Sequence, residues 1–588
     1  MGVRWIPFTL GTMVVAAVLA VDPAGASPFG PARWWLVSTL GLTSGGLALW
    51  GARTRLDRRS TWLWCGLLAL LGVAALTNGD ARVAVLGHPV RHLGFVTWCL
   101  FALVFAAAQQ LTLEHDRRIV LRAAVVGGLG LGAWTLWEQL VGPPLALATD
   151  SERLVGPFGS ASILGAACCL LLPVCAGLAA DTGERRSWRI AGSVAAPIAA
   201  LALVGSGTRA AWIGIGAAVV VLVAVRRPGR RALVGGAVLV ALAVTLSAPR
   251  LDDVLQRANG ATSRVDEWAV ALRIIGDHPV LGAGPEGYRI AAMGAVDADY
   301  ERTYGRDRVL PDRAHSGPLD VVATAGILAG VVYVVLVGGL MVIAVRRIRH
   351  ADAAGVGLAV AVIAYAVQQL LLFPLAELDP VWWLFAGMLI AAAPRHDGTE
   401  PRRRLRPVAV AALVLAPAAL VAGVLDVAAD RLAERSLTIT KDDDIDDALG
   451  AAERAVDLRP DDLRYRSIVI ELHRERGTLA DIDRALTHAA AALRWSAHDP
   501  IALDARATVL SDRAAITGDA ADVDAAVAAW QQLVDRDPVR ARWQVQLGRA
   551  ASLAGDADLA RHALTAAAAL RPDDPRITAL LAQLEAQI

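Results

Sequence analysis

The hydropathy of this chain is laid out in blocks, and that layout restricts its folding more than any single residue does. From Ile6 to Leu425, apolar runs of spanning length follow one another with only short polar links between most of them. Inside a bilayer every backbone N–H and C=O must find a partner within its own segment, so apolar runs of about 17–25 residues read as helices. Thirteen such runs can be counted, several of them short: Ile6–Val21, Trp34–Trp50, Thr61–Leu76, Leu93–Leu111, Val120–Leu140, Ile163–Ala180, Ile190–Val204, Ala210–Val225, Leu233–Leu246, Leu319–Val345, Ala354–Phe373, Val381–Ala393 and Val408–Leu425. A hydrophobic content of 55% and a mean hydropathy of +0.48 exclude an ordinary soluble enzyme. The expected fold is all-α: a polytopic helical membrane protein followed by a smaller helical region.

Arginine sets the orientation. Every second link is rich in it: GARTRLDRRS, EHDRRIV, DTGERRSWR, RRPGRR, RRIRH and PRHDGTEPRRRLR. The alternate links hold little: DPAGASPFGPAR has one arginine and LFPLAELDP has none. Positive links stay on the cytoplasmic side. The N-terminus is therefore expected inside, in the plasma membrane, and parity places four features outside: the loops around Arg91 and Arg153, the link holding Arg209, and the long loop 247–318. The thirteenth run carries everything after it outside as well. Ile6–Val21 followed by AGAS also reads as a cleaved signal peptide, which leaves the later sides unchanged. The five cysteines lie in apolar runs, with neither a metal spacing nor a disulfide framework, and read as small core residues.

Composition changes near residue 425. Residues 1–425 form the expected membrane domain. Residues 426–588 are polar, and rich in Ala, Leu, Asp and Arg. In this second region Pro460, Pro500, Pro538 and Pro572 recur every 34 to 40 residues, with Gly477, Gly518 and Gly555 between the expected helices. The period resembles that of tetratricopeptide repeats, in which helix pairs stack into a superhelix with a concave binding face. A generic array of helical hairpins is the plainer alternative.

Chemistry concentrates in the outer loops. His315, in RAHSGPLDVV, stands just before an apolar run; an imidazole suits removal of a hydroxyl proton, and equally suits a plain interfacial hydrogen bond. Arg209, in GSGTRAAWIG, sits in a link too short to leave the bilayer surface, where a guanidinium must snorkel, pair with an anion or face a wet cavity. Arg264 opens an expected helix over Arg264–Gly276, ahead of the turn-forming tract HPVLGAGPEGY. It can brace that turn or present its paired donors to a phosphate. Arg153 and Arg91 are weaker candidates on the same face. No HExxH, paired-cysteine site or P-loop occurs there, and Asp297 with Asp299 reads as a solvated loop, so no metal or other cofactor is expected.

Arg264, Trp268, Ala269, His278, Pro279, Gly282 and Gly284, followed by Ala314, His315, Ser316, Leu319, Asp320, Gly326 and Gly330, form a two-part pattern that resembles the O-antigen ligase and O-antigen polymerase superfamily. The tracts around Arg209, Arg153 and Arg91 extend the resemblance over roughly residues 60–395. It implies a metal-independent glycosyltransferase of the C type. Such an enzyme moves a glycan from a polyprenyl (undecaprenyl-type) diphosphate carrier to an acceptor hydroxyl on the outer face of the plasma membrane. His315 would activate the acceptor. Arg264 and Arg209 would hold the diphosphate, with Arg153 and Arg91 contributing to substrate binding. Three features depart from the family: the thirteenth run with its repeat region, GPFGSAS where an Asn-rich tract is common, and His92 where the Arg91 loop often has a polar or acidic residue.

Other readings remain open on sequence alone. The acceptor could be a glycan, a lipid or a protein, the last giving a protein O-oligosaccharyltransferase. A lipid-linked glycan transporter would need charges deep within its spans, where this chain has almost none. A scaffold acting through the repeats alone would tolerate loss of His315 and Arg264. The repeats offer a surface for a protein partner, and no nucleic-acid partner is expected.

Overall fold

The computed structural model describes residues 5–52, 54–145, 153–226, 259–306, 311–392, 402–440 and 444–587, and all regular secondary structure among them is helical. The membrane region comprises α1 (Ile6–Leu19), α2 (Pro31–Trp50), α3 (Arg58–Thr77), the short α4 (Ala81–Leu86), α5 (Phe95–Ala108), α6 (Glu114–Leu140), α7 (Ala161–Ala180), α8 (Arg186–Gly205) and α9 (Arg209–Arg226). After the outer loop it resumes with α13 (Gly317–His350), α14 (Ala353–Gln368), α15 (Asp379–Ala391) and α16 (Arg402–Thr440). Eight helical segments are long and apolar enough to cross a membrane, and α1, α5 and α15 are shorter apolar helices. The chain is thus a multi-pass membrane protein. The expected span Leu233–Leu246 lies outside the described residues.

Helix α2 is less apolar than its neighbours because it carries Ser38, Thr39, Thr43 and Ser44. Three of these hydroxyls donate back to carbonyls one turn earlier, from Ser38 to Trp34 O (2.7 Å), Thr43 to Thr39 O (2.7 Å) and Ser44 to Leu40 O (2.6 Å), so they do not face the core unpaired. The bundle interior is built on aromatic edges, with Trp64, Phe105, Trp382 and Trp383 in mutual contact. Apolar side chains also point outward, among them Leu328, Val331 and Val334 on α13 and Val414, Val421 and Val424 on α16. In a membrane these face lipid rather than water.

Among the described residues, several of the arginine-rich links meet at one end of the bundle. Glu184, between α7 and α8, pairs with Arg118 and Arg122 of α6 at 3.1 and 2.7 Å. Arg226, ending α9, donates to the carbonyls of Ile348 and Ala351, between α13 and α14. At the other end the outer loop folds into α10 (Asn259–Asp277), α11 (Tyr288–Ala295) and α12 (Ala298–Tyr304), around a small core of Val270, Ile274, Tyr288, Ala292 and Val296. The helix expected over Arg264–Gly276 lies within α10. The loop is more helical than its polar composition suggests.

Residues 445–587 form α17 (Ile445–Leu458), α18 (Leu463–Arg476), α19 (Leu479–Trp495), α20 (Pro500–Thr517), α21 (Ala520–Arg536), α22 (Ala541–Leu553), α23 (Ala557–Leu570) and α24 (Pro575–Gln587), a helical solenoid. Local chemistry explains the period. Side chains of Asp444, Asp462, Thr478, Asp499, Asp519 and Asp556 cap helix N-termini, and Gly477, Gly518 and Gly555 take the left-handed conformation just after helix ends. The solenoid is continuous with the bundle through α16, which runs unbroken across the composition change at residue 425.

The solenoid docks on the end of the bundle that carries the outer loop. Asp430 accepts from Ser27 N (2.9 Å), Trp35 donates to Asp426 (2.7 Å), and Ala497 N donates to Asp80 (2.7 Å). The most buried contact is ionic. Arg306, only 2% exposed in its side chain, holds Glu301 at 2.8 Å and also Asp537, while Glu301 pairs with Arg571 at 3.2 Å.

Candidate functional site

The outer loop is pinned before any candidate side chain is placed. The tract HPVLGAGPEGY passes between α10 and α11 and lies against α13. There α13 breaks at Gly326, where φ is 85°, and Ile327 N donates to Pro279 O (2.9 Å) instead of continuing the helix ladder. A Cβ at Gly326 would stand 1.9 Å from Val280 O, so only glycine fits. The expected span Leu319–Val345 is therefore two helical pieces that meet at the turn.

Arg313 ties this turn to the segment carrying His315. It is buried, pairs with Glu286 in the turn, and reaches Asp320 at 3.3 Å at the start of α13. Glu286 in turn accepts from Leu93 N (2.6 Å), in the loop holding Arg91. Burial opposes the Arg313 charge, but Glu286 and Asp320 hold the guanidinium above its ordinary pKa. Three segments far apart in sequence thus meet on one buried ion pair.

The two expected catalytic residues then converge on one carboxylate, that of Glu267. Arg264, in the body of α10, places Nη1 2.9 Å from Glu267 Oε2. His315 Nδ1 lies 3.0 Å from the same oxygen, at ion-pair distance but off the line of a hydrogen bond. His315 has a φ of 49°, an uncommon conformation for a residue with a side chain, held by the Arg313 and Asp320 contacts on either side. Its ring meets Phe373 edge-on at 5.2 Å.

Arg91 also approaches that phenyl ring, its guanidinium 4.8 Å from the Phe373 centroid. It also pairs with Asp312 at 2.6 Å, three residues before His315. Burial works to raise the Asp312 pKa, but Arg91 and Arg313 outweigh it and hold the carboxyl below its ordinary value. The neighbouring His92 is buried and stacked on Trp34 at 5.0 Å. Burial pushes its imidazole well below the ordinary pKa, and Arg464 and Arg459 of the solenoid push the same way.

Arg153 sits differently. It donates to Ser206 O (2.7 Å) and Thr208 Oγ1 (3.0 Å), bracing the turn that leads into Arg209. Arg209 opens α9, and Gly214, little more than a turn later, packs on Ala364 and Gln368 of α14. Five residues after Gln368 the chain reaches Phe373, so the Arg209 end of α9 lies at the same end of the bundle.

Arg91, Arg264 and His315 therefore come together, while Arg153 supports the Arg209 turn. Glu267, Glu286, Arg313 and Phe373 belong to the same site and were not singled out from sequence. Glu267 had a signal: it lies three residues after Arg264 on an expected helix, one turn apart on one face. Glu286 and Arg313 pair across 27 residues of sequence, and no local spacing announces that.

Residues 194–334 match the family model described as O-antigen ligase. No curated protein is similar enough in sequence to match. Among solved structures, the crystal structure of the yeast Tom70 aligns over 83% of this chain and 95% of its own, at 11% identity and a TM-score of 0.19. That overlap is too low to bear on fold or function. The matched segment holds Arg209, Arg264, Glu267, Glu286, Arg313 and His315, all but Arg209 tied to one another by the contacts above. This multi-pass membrane protein is therefore similar, across residues 194–334, to the O-antigen ligase family.

Proposed function

We propose that the chain is a metal-independent glycosyltransferase of the C type. It takes a glycan from a polyprenyl diphosphate carrier and transfers it to an acceptor hydroxyl at the outer face of the plasma membrane. The N-terminus and the arginine-rich links lie in the cytoplasm, and the solenoid (426–588) sits outside on the membrane domain (1–425). The single observation carrying the reading is the convergence of Arg264 and His315 on Glu267, within the segment that matches the O-antigen ligase family.

The chemistry follows from that geometry. Glu267 lies 3.0 Å from Nδ1 of His315, and its negative charge stabilises the ring as Nε2 takes the acceptor proton and becomes positive. The acceptor oxygen attacks the anomeric carbon as the bond to the diphosphate breaks, and the electron pair leaves on the lipid diphosphate. Arg264 and Arg209 stabilise that growing charge. Such preorganised cations contribute most in a partly dry site. Arg153 holds the Arg209 turn, and Arg91 lines the approach to His315 past Phe373.

The test is a transfer assay in membranes with a polyprenyl diphosphate glycan, in the presence of a metal chelator. Wild type is compared with His315→Ala and Arg264→Ala at matched expression. Transfer that survives chelation and collapses in both variants supports the reading. Variants that transfer as well as wild type overturn it.

A further inference from the structure

A cavity of about 830 Å³ lies between the solenoid and the outer loop. That is within the range of pockets that hold whole ligands. Its floor comes from the first helices of successive solenoid pairs, α20, α22 and α24, the concave side of the array. Its rim includes Arg91 and Asp312, which reach the His315 cluster through Phe373. The wall holds seven arginines against three aspartates.

The cations are not all neutralised by neighbours. Arg542 pairs with Asp504 at 2.8 Å. Arg540 is buried, stacks on Trp543 at 4.2 Å, and donates to the Arg306 carbonyl (3.1 Å) rather than to a carboxylate. Arg549 is exposed to the cavity and has no carboxylate partner among the described residues. Burial lowers the Arg540 guanidinium to about 10; Asp504 works against the fall, and Arg306 and Arg542 add to it. An anion in the cavity would relieve this crowding of like charges.

We propose that this cavity binds a stretch of acidic glycan through its carboxylate or phosphate groups and holds it as the acceptor chain running away from His315. The acceptor role rests on the glycan-transfer reading above; the binding does not. Guanidinium forks match carboxylates and phosphates with paired hydrogen bonds. An acceptor whose hydroxyl reaches His315 must lead the rest of its chain somewhere, and Arg91 stands at both the site and the cavity mouth. The ligase domain makes a glycan, rather than an acidic peptide, the chain expected there.

The test measures binding to the full chain in nanodiscs. The probes are an oligogalacturonate, a glycerol phosphate oligomer, neutral maltohexaose and an oligoglutamate peptide. At least one of the first two should bind, more weakly as salt rises, and which one binds tells carboxylate from phosphate. Maltohexaose should not bind. Arg549→Glu, an exposed change, and Arg542→Gln should each weaken binding about tenfold or more. His315→Ala should bind as wild type while failing to transfer. With an acidic acceptor, Arg549→Glu should raise KM and leave kcat in place. Failure of both acidic glycans to bind, wild-type binding in both arginine variants, or equally tight binding of oligoglutamate would each overturn the proposal. Binding without any transfer by wild type would instead sink the enzyme reading and leave the binding site standing.

Discussion

Glu267→Gln is the sharpest perturbation available, because one oxygen faces both His315 and Arg264. The replacement keeps size and shape and removes the charge. At 3.0 and 2.9 Å the two contacts are close. A full charge pair at that separation is worth about 5 kcal/mol at an effective dielectric near 20, an upper bound. The side chains of His315, Glu267 and Arg264 are 23%, 18% and 31% exposed, so water screens part of it. The Arg264 contact is a hydrogen bond between charged groups, worth a net of about 1.5–3 kcal/mol, and His315 shares the same oxygen without a hydrogen bond, so the losses do not simply add. Glu267→Gln should therefore lower kcat by roughly 10- to 150-fold. The assay is transfer from the lipid-linked donor under single-turnover conditions, with expression and elution profile matched. Glu267→Asp, which keeps the charge but withdraws it by one methylene, should recover part of the rate. A purely structural glutamate would show the opposite order, with Gln tolerated and Asp not. Wild-type turnover in a well-folded Glu267→Gln protein would refute the idea that Glu267 positions the histidine.

Other consequences can be checked alongside. Arg306→Ala strands Asp537 in a buried interface and leaves Glu301 to Arg571 alone, which costs about 3–5 kcal/mol; proteolysis should then release the solenoid at much lower protease concentration while the bundle stays intact. Gly326→Ala places a Cβ 1.9 Å from Val280 O, so the variant should accumulate poorly in the membrane or lose transfer altogether. The Asp312 carboxyl has a lowered pKa in the folded state, so its contribution is present at neutral pH and is lost only as acid approaches and passes below the ordinary value of 3.8. The difference in thermal midpoint between wild type and Asp312→Asn should accordingly stay flat from neutral pH down to about pH 5 and close only in stronger acid.

Much of this was legible in the sequence, for identifiable reasons. Helices in lipid announce themselves by length and hydropathy alone, and α3, α6, α7 and α16 fall where the apolar runs predict. The solenoid period was visible because caps and C-terminal glycines are local signals. His315 stood out as a polar group just before an apolar run, and Arg264 as the opening of an expected helix ahead of a Gly- and Pro-rich turn. What stayed hidden depends on contacts across sequence distance. Leu319–Val345 reads as one continuous span, because the break at Gly326 exists only where Val280 presses on it. Spacing does not show that Arg153 donates to Ser206 O and Thr208 Oγ1. Nor does any spacing reveal that α22 brings Arg540, Arg542 and Arg549 opposite Arg91.

Helix α16 has 39 residues, a rod of about 58 Å, roughly twice the thickness of the hydrocarbon layer. Its inner part packs on α2, with Gly46 against Leu413 and Gly423 against Trp35. Its outer part carries Asp426 and Asp430, one turn apart, which meet Trp35, Arg459, Tyr465 and Ser27. The rod therefore behaves as a keyed shaft, and its angular phase belongs to the design as much as its length. Adding one residue between Leu413 and Asp426 would turn everything beyond by about 100° and carry both aspartates off their sockets. Adding seven would restore the phase and lift the array about 10 Å. Changes along the shaft are thus confined to whole turns, and beyond Thr440 to those that keep the contacts of Ala497 with Asp80 and of Asp537 with Arg306.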